Sequence, residues 1–450
     1  GSKLYYLSAV EKGYDLWVRD FKKNQTSLLS KLGAGNGGLK FDKGEEHIIV
    51  LSNKKIVKIS VADGASKPVT YSAKMNWNQQ AEFEFIYNHT WRQTLKKFYV
   101  EDMHGVDWAF YKTEYAKFLP HINNGYDFAE MLSELLGELN ASHTGSGYRT
   151  SKPEGDHTAA FGFYPDYTFS GQGVRIAEVM DKSPFLIKDS KVAKGSIIKQ
   201  INGVDVLNLS SYFQLMNNLN GENVLVTYTA ASGKDEQQVF KPISLRQEND
   251  LAYERYVKNR AEEVDKLSDG KLGYVHVRGM NSESFRQVYS DALGKYADKD
   301  ALIVDTRFNG GGWLHDDLAT FLSGELYATF LPRGQKIGHE PLAKWYKPSA
   351  VIIGEGNYSD AHGFPFAYRA LKIGKTVGMP VPGTMTAVWW ETQINRSIYF
   401  GIPQVGMQGT DGKLRENFQF EPDIKSTNDY KSVAEGKDNQ LEETVKLLLK

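Results

Sequence analysis

The stretch Ala350–Val351–Ile352–Ile353–Gly354–Glu355–Gly356–Asn357–Tyr358–Ser359–Asp360 runs from apolar residues through glycines into a polar turn. A short β-branched run of this kind reads as a strand buried on both faces of a parallel sheet, and the residues after Asp360 have a helical pattern. A strand-to-helix turn lifts the Ser359 hydroxyl clear of the sheet edge. It also aims the Asp360 N–H at the position a tetrahedral oxyanion would take, so Ser359 reads as a nucleophile. Taken by itself, the Ser-Asp pair reads first as a helix N-cap, and the other motifs favour the nucleophile.

Outward from this strand the α/β pattern continues. Tyr274–Val277, a helix carrying Phe285, Val288, Tyr289 and Leu293, and the strand Ala301–Asp305 alternate as a layered α/β segment does. The layered segment is predicted over residues 247–450, closing with a helix at Leu441–Leu449. After Ala301–Asp305 comes Thr306–Arg307–Phe308–Asn309–Gly310–Gly311–Gly312–Trp313. Neighbouring parallel strands end close together, so Gly310 or Gly311 is a candidate second oxyanion donor beside Asp360. No Walker Lys-Ser/Thr follows these glycines, and Gly374–Lys375–Thr376 has Arg369 where that motif needs its first glycine. The loops therefore do not read as a nucleotide site.

Toward the N-terminus the periods change. Residues 1–72 hold short alternating strands at Leu4–Ala9, Asp15–Phe21, Thr26–Lys31, His47–Ser52 and Lys55–Ser60. They read as a partial β-propeller of fewer than two blades, at about four strands per blade, or as a small β-cap. Residues 73–160 read as a helical subdomain, with Phe83, Phe85, Ile86, His89, Trp91, Leu95 and Phe98 on one stripe and Phe128, Met131, Leu132, Leu135, Leu136 and Leu139 on another. Ser142 and His143 leave the second helix. Between residues 161 and 246, Gly173–Val179, Ser183–Pro184 and Gly195–Val206, followed by a helix at Ser211–Leu219 and a strand at Asn223–Thr229, resemble a PDZ domain; a small β-barrel is the other reading. The resemblance implies an edge for extended peptides around Gly173, Val174 and Ile176.

Composition narrows the classes. The 450 residues exceed one ordinary core, predicting several domains of roughly 100–200 residues each. A net charge of −1, from 54 basic and 55 acidic side chains, recruits neither nucleic acid nor an anionic membrane. The absence of cysteine excludes disulfides, thiolate metal sites and a cysteine nucleophile. No run of transmembrane length or signal pattern occurs, and Gly1–Ser2 without Met reads as an expression remnant, so native upstream sequence is expected. A periplasmic or secreted compartment and a cytoplasmic one both stay open.

A serine nucleophile needs a base, and His143 is the candidate, with Glu416 in Glu416–Asn417–Phe418–Gln419–Phe420–Glu421–Pro422–Asp423 as an orienting acceptor. With ten histidines in the chain, a solvated or structural role also fits His143. The runs His315–Asp316–Asp317 and His104–Gly105–Val106–Asp107 read as helix starts, and no metal or cofactor is predicted.

Four motifs in order, Ser142–His143, Asp305–Gly312, Asn357–Asp360 and Glu416–Asp423, resemble the tricorn protease family within the clan of carboxyl-terminal processing peptidases. The resemblance covers nearly the whole chain. It implies a multidomain α/β and all-β fold with a propeller remnant, a helical subdomain, a PDZ-like insertion and a crotonase-like layered subdomain. It also implies a serine endopeptidase of unfolded oligopeptides, with Ser359 as nucleophile, His143 as base, Ser142 and Glu416 completing a tetrad, and Asp360 with Gly310 or Gly311 as oxyanion donors. The processing-peptidase branch would pair serine with lysine; the Ser-His pair speaks for the tricorn branch. Thr384–Met385–Thr386–Ala387–Val388–Trp389 stands where the family often has Gly-Gly, placing bulkier side chains at the cleft. Peptides are the expected partners, with homo-oligomerisation left open. The rival readings are an inactive peptide-binding PDZ protein and a carrier of small apolar ligands lined by Trp389 and Trp390.

Overall fold

The computed structural model describes residues 1–9, 13–35, 37–52, 55–150 and 155–450, in two compact units, Gly1–Asn78 and Gln79–Lys450. The first unit holds two antiparallel meanders. Strands β1 (Lys3–Ala9), β2 (Tyr14–Asp20) and β3 (Gln25–Ala34) form one, and β4 (Gly38–Phe41), β5 (His47–Ser52), β6 (Lys55–Ser60) and β7 (Ser66–Val69) form the other. Period-2 alternation drives them: Ile48 and Val50 are buried while Leu51 is exposed, and Leu16 and Ile59 join the same core. The five expected strands are present; β4 and β7 were too short and polar to stand out.

The second unit begins with helices α1 (Gln79–Lys97), α2 (Trp108–Ala116) and α3 (Gly125–Gly137). Asp107 and Asn124 cap the last two, each accepting from backbone N–H groups of the first turn. Helix α3 buries Phe128, Met131, Leu132, Leu135 and Leu136, as its spacing predicts. Helix α1 is rotated from expectation. It buries Phe83, Ile86, Tyr87, Thr90 and Thr94, while Phe85 and Leu95 face solvent. Strand β8 (Gly145–Tyr148) follows.

An inserted antiparallel sheet comes next, in the order β9 (Phe163–Pro165), β10 (Val174–Val179), β11 (Ile197–Ile201), β12 (Val224–Thr229) and β13 (Asp235–Phe240), with helix α4 (Leu209–Leu215) packed on it. Here the expected peptide edge is corrected. Strand β10 is paired on both sides, Val174 with Ile198 and Val179 with Phe163, and Val174 and Ile176 are buried. Gly173 enters it at φ 96°, against the Ile198 carbonyl. The outer strand is β9, three residues long and ending in proline, which suits an edge because it needs no N–H there.

Helix α5 (Leu245–Leu267) leads into a parallel sheet, together with β14 (Leu272–His276), α6 (Ser282–Ser290), β15 (Ala301–Asp305), α7 (His315–Leu322), β16 (Ser349–Ile353), α8 (Asp360–Ala370) and β17 (Lys375–Gly378). Two strands, β18 (Thr386–Thr392) and β19 (Ile398–Gly406), precede β20 (Ile424–Lys425) and α9 (Asn439–Leu448). The parallel order is β14-β15-β16-β17-β20. Every residue of β15 and β16 is buried. Val288, Leu318 and Phe364 from α6, α7 and α8 cover one face, and Val264, Leu441 and Val445 from α5 and α9 the other. Residues 386–406 depart from the expected layering. They form the sheet β18-β19-β8, and Ile398, Phe400 and Ile402 pack with Phe83 and Leu132 of the helical part. The Trp389 and Trp390 pair lies exposed on β18, 56% and 47%, so it does not form an apolar interior.

At the end of β15 a buried charge cluster fixes the loop that follows. Arg307 donates to Asp305 Oδ2 (2.6 Å), to both carboxylate oxygens of Asp438 (2.9 Å each) and to Gln440 Oε1 (2.9 Å). Tyr274 adds a donor to Asp305 (2.9 Å). Although burial alone would raise both aspartate pKa values, the arginine holds them below the ordinary range. Arg307→Met removes the ion-pair partner of buried Asp305 and leaves Asp438 only the longer Arg260 pair (3.4 Å), and is expected to destabilise the fold by about 3–5 kcal/mol in urea denaturation. A loss below about 1 kcal/mol would show the cluster to be dispensable.

Candidate active site

Ser359 sits at the N-terminus of α8 with φ 56° and ψ −124°, and its side chain makes no capping bond. A capping serine would adopt extended backbone and accept from the first turn, so the cap reading is excluded by the geometry. Such backbone costs an L-residue about 1–3 kcal/mol and persists only where its surroundings over-determine it. They do. Ser359 N–H donates to Thr384 Oγ1 (2.9 Å), and Tyr358 N–H to the Asn309 carbonyl (3.0 Å). Asn357 donates to Thr306 Oγ1 (2.9 Å), stitching the turn to the end of β15.

The glycine loop passes directly beneath. A Cβ on Gly311 would lie 2.6 Å from the Ser359 Cβ and 3.2 Å from the Asp360 nitrogen, so only glycine permits this approach. Gly311 N–H is itself engaged by Asn309 Oδ1 (2.9 Å). That corrects the pair of expected donors: Gly310, exposed and without a backbone partner among the described residues, is left to act with the Asp360 N–H. The Asp360 carboxylate turns the other way, accepting from the backbone N–H groups of Leu314 (2.5 Å) and His315 (3.0 Å) and from His315 Nδ1 (2.5 Å). It thereby caps α7 and raises the pKa of His315. The His315 run is a helix start, as expected, and no cluster suited to a metal exists among the described residues.

His143 enters from the segment after α3 with φ 62°. Its N–H donates to the Tyr358 hydroxyl (2.8 Å), and the two rings lie 4.8 Å apart. The base candidate thus touches the residue preceding Ser359. Nδ1 lies 2.8 Å from Ser142 Oγ and 3.0 Å from Thr386 Oγ1. Ser142 Oγ–H donates to Glu416 Oε2 (3.0 Å) and Ser142 N–H to Oε1 (2.5 Å). With that hydroxyl proton committed to the carboxylate, the network assigns the imidazole proton to Nδ1 and leaves Nε2 as proton acceptor. Burial lowers the His143 pKa, which keeps the ring neutral, and raises that of Glu416 against the opposing pull of the two Ser142 bonds.

Sequence reasoning missed Tyr358, Asn309 and His362, and took Thr384 and Thr386 only as bulk. His362 is buried, its pKa pushed down to about 4 by desolvation, and its Nδ1 accepts from Thr384 N–H (3.3 Å). Thr384 in turn holds the Ser359 backbone. Asn309 and Tyr358 lie inside motif segments that gave them no role of their own, and nothing in the spacing of Thr384, Thr386 and His362 marks them, because each acts through a partner on another loop.

The four motif segments thus meet at one end of the parallel sheet. Residues 79–137 match the Tricorn protease C1 domain, and residues 271–426 match Peptidase family S41. The chain is thus similar to tricorn proteases, and its residues 271–426 resemble an S41 peptidase. It is 25% identical to a tricorn protease homolog of Saccharolobus solfataricus over 82% of this chain and 35% of that protein. It is 23% identical to the tricorn protease of Thermoplasma acidophilum over 99% of this chain and 42% of that one. The crystal structure of the tricorn protease superposes with a TM-score of 0.84 at 18% identity, covering 100% of this chain and 46% of that chain, a likeness of fold. This tricorn-like chain spans less than half the length of those relatives.

Thr386→Val removes one of the two partners of His143 Nδ1 while keeping the β-branched shape. The rate of fluorophosphonate modification at Ser359 is expected to fall about tenfold, the worth of one such bond, with Thr386→Ser restoring it. An unchanged rate would remove Thr386 from the positioning of His143.

Proposed function

We propose that this chain is a serine endopeptidase that cuts unfolded oligopeptides through an acyl-enzyme, with Ser359, His143, Ser142 and Glu416 as its tetrad. The observation that carries this reading is Ser359 itself, held at φ 56° and ψ −124° on Gly311 with no cap to make. Its Oγ attacks the peptide carbonyl as His143 Nε2 takes the proton. The oxyanion is received by the N–H groups of Asp360 and Gly310. Collapse then expels the amine, which takes its proton back from His143, and water repeats the steps on the ester. Glu416, through Ser142, stabilises the imidazolium without accepting its proton. A half-buried Ser359 favours extended substrate over folded chain.

The finer domain reading belongs to the same proposal: residues 1–72 as partial propeller blades, 73–160 as the first catalytic subdomain, 161–246 as a PDZ-like domain and 247–450 as the second. Three plus four antiparallel strands support the first, and the six-stranded sheet with its single helix supports the third. Peptides are the proposed partners, and homo-oligomerisation stays part of the reading. No helix among the described residues is long and apolar enough to cross a membrane.

Fluorophosphonate treatment followed by mass-spectrometric mapping is expected to find the label on Ser359, and Ser359→Ala to lose turnover of a fluorogenic peptide by on the order of 10⁶. Equal turnover by wild type and variant would end the proposal in favour of an inactive peptide binder.

The base must be neutral to act, and desolvation lowers the His143 pKa from its ordinary 6.5. The kcat/KM profile is therefore expected to rise with pH through a midpoint below 6.5 and to be level above it. A midpoint above 7 would be evidence for another base.

A further inference from the structure

Helix α5 rests on the inserted sheet as well as on the parallel one. In its first turn, Glu248 accepts the backbone N–H of Gly162 (3.0 Å), and its carboxylate also faces the N–H of Phe163. These two residues lead the chain into the edge strand β9. Gly162 has φ 67°, and a Cβ there would come within 3.0 Å of Leu251 Cδ1, so the next turn of α5 closes over the same point. Successive N–H groups converging on one anion form a nest.

A nest at the head of an edge strand has a specific use. The free carboxylate of a peptide enters the nest, its main chain pairs along the strand, and its last side chain fills the recess beside it. Strand β9 ends the sheet, and its Phe163 ring packs on Tyr212 of α4 at 5.6 Å, so strand and helix lie side by side. We infer that Gly162 and Phe163 form a binding site for the C-terminal carboxylate of an extended peptide, and that Glu248 and Leu251 of α5 occupy it in cis. They supply the carboxylate and apolar side chain that a peptide terminus would bring. This inference rests on the PDZ-like reading of residues 161–246 and moves its peptide edge from β10 to β9.

The rest of the contact shows why such an occupant is displaceable. Arg255 pairs with Glu178 (2.5 and 2.8 Å) and lies over the Tyr164 ring, Lys258 pairs with Asp181 (2.6 Å), and Lys182 with Glu254 (2.7 Å). These pairs are solvent-accessible, and such pairs contribute little individually. An incoming terminus competes with a tethered carboxylate at high local concentration rather than with a fused interface.

The test uses the full chain in the Ser359→Ala background, where hydrolysis does not intervene. A fluorescein-labelled oligoalanine peptide ending in leucine, and its C-terminal amide twin, are titrated by fluorescence polarisation with Glu248 intact and with Glu248→Ala. The free-acid peptide is expected to bind about tenfold or more tightly once Glu248 is removed, and the amide to gain nothing. Equal affinity with and without Glu248 overturns the cis occupant while leaving the PDZ-like reading standing. Binding in neither form removes the site and that reading together, and an equal gain by the amide shows that the nest does not read a carboxylate. Should Glu248→Ala lower the melting temperature, Glu248→Gln keeps the side-chain volume and is expected to change affinity in the same direction by a smaller factor. Peptidase activity enters none of these outcomes, so the catalytic proposal stands or falls separately.

Discussion

A buried guanidinium organises the catalytic end of this molecule. Arg307 lies between Asp305 at the tip of a fully buried strand and Asp438 at the start of the last helix, with Gln440 accepting a further bond and Tyr274 donating to Asp305. Burying an ion costs several kcal/mol unless every direction is answered, and here planar donors meet two carboxylates. The arrangement fixes where the chain leaves β15. From that exit follow the orientation of Asn309, the closeness of Gly311 to Ser359, and the hydrogen bond that anchors Tyr358. A weak strand end would leave the turn free to relax from a backbone conformation that no local preference sustains.

Desolvation acts twice at the base. It lowers the pKa of His143, which keeps the imidazole neutral and able to accept a proton, and it raises that of Glu416, a change opposed by the two hydrogen bonds from Ser142 that hold the carboxylate. Each of the four motif segments also contains one non-glycine residue at positive φ: His143, Phe308, Ser359 and Asn417. Tight turns of this kind bring side chains and N–H groups to one point without long loops. Bonds from other segments brace three of them: His143 N–H on the Tyr358 hydroxyl, Ser359 N–H on Thr384 Oγ1 and Asn417 N–H on the Gly383 carbonyl.

Much of the layered subdomain was legible because its signals are local. Ala301–Asp305 is an uninterrupted apolar run, as only a strand covered on both faces can be, and its bounds were read correctly. The Ser-His, glycine-loop and Asn-x-Ser-Asp segments were legible through their chemistry. What escaped was relational. Phe163–Pro165 is too short to carry an alternation, so β10 was mistaken for the edge. The stripe on α1 was misjudged because a helix with aromatics on several sides has more than one plausible face, and packing against β19 selects Phe83, Ile86 and Tyr87. Thr384, Thr386 and His362 carry no motif at all; their roles arise when loops from different segments close on one another.

The proposed base and the proposed nucleophile are set by different sheets. Ser359 is positioned by β15 and β16, whereas His143 immediately precedes β8, which pairs with β19, and Thr386 opens β18 on the other side of β19. Gly401 of β19 passes so near the His143 carbonyl that a Cβ would lie 2.6 Å from it, which fixes the base against this three-stranded sheet. Bridges between the two systems include Tyr358 to His143, Thr384 to Ser359, Glu416 to Ser142 and Asn417 to Asn140. Their alignment is therefore a property of packing between the helical part and the parallel sheet rather than of either alone. It follows that a change in that packing reaches the chemistry through the angle of the imidazole before it reaches the strained serine turn, whose restraints lie almost wholly within the parallel-sheet loops.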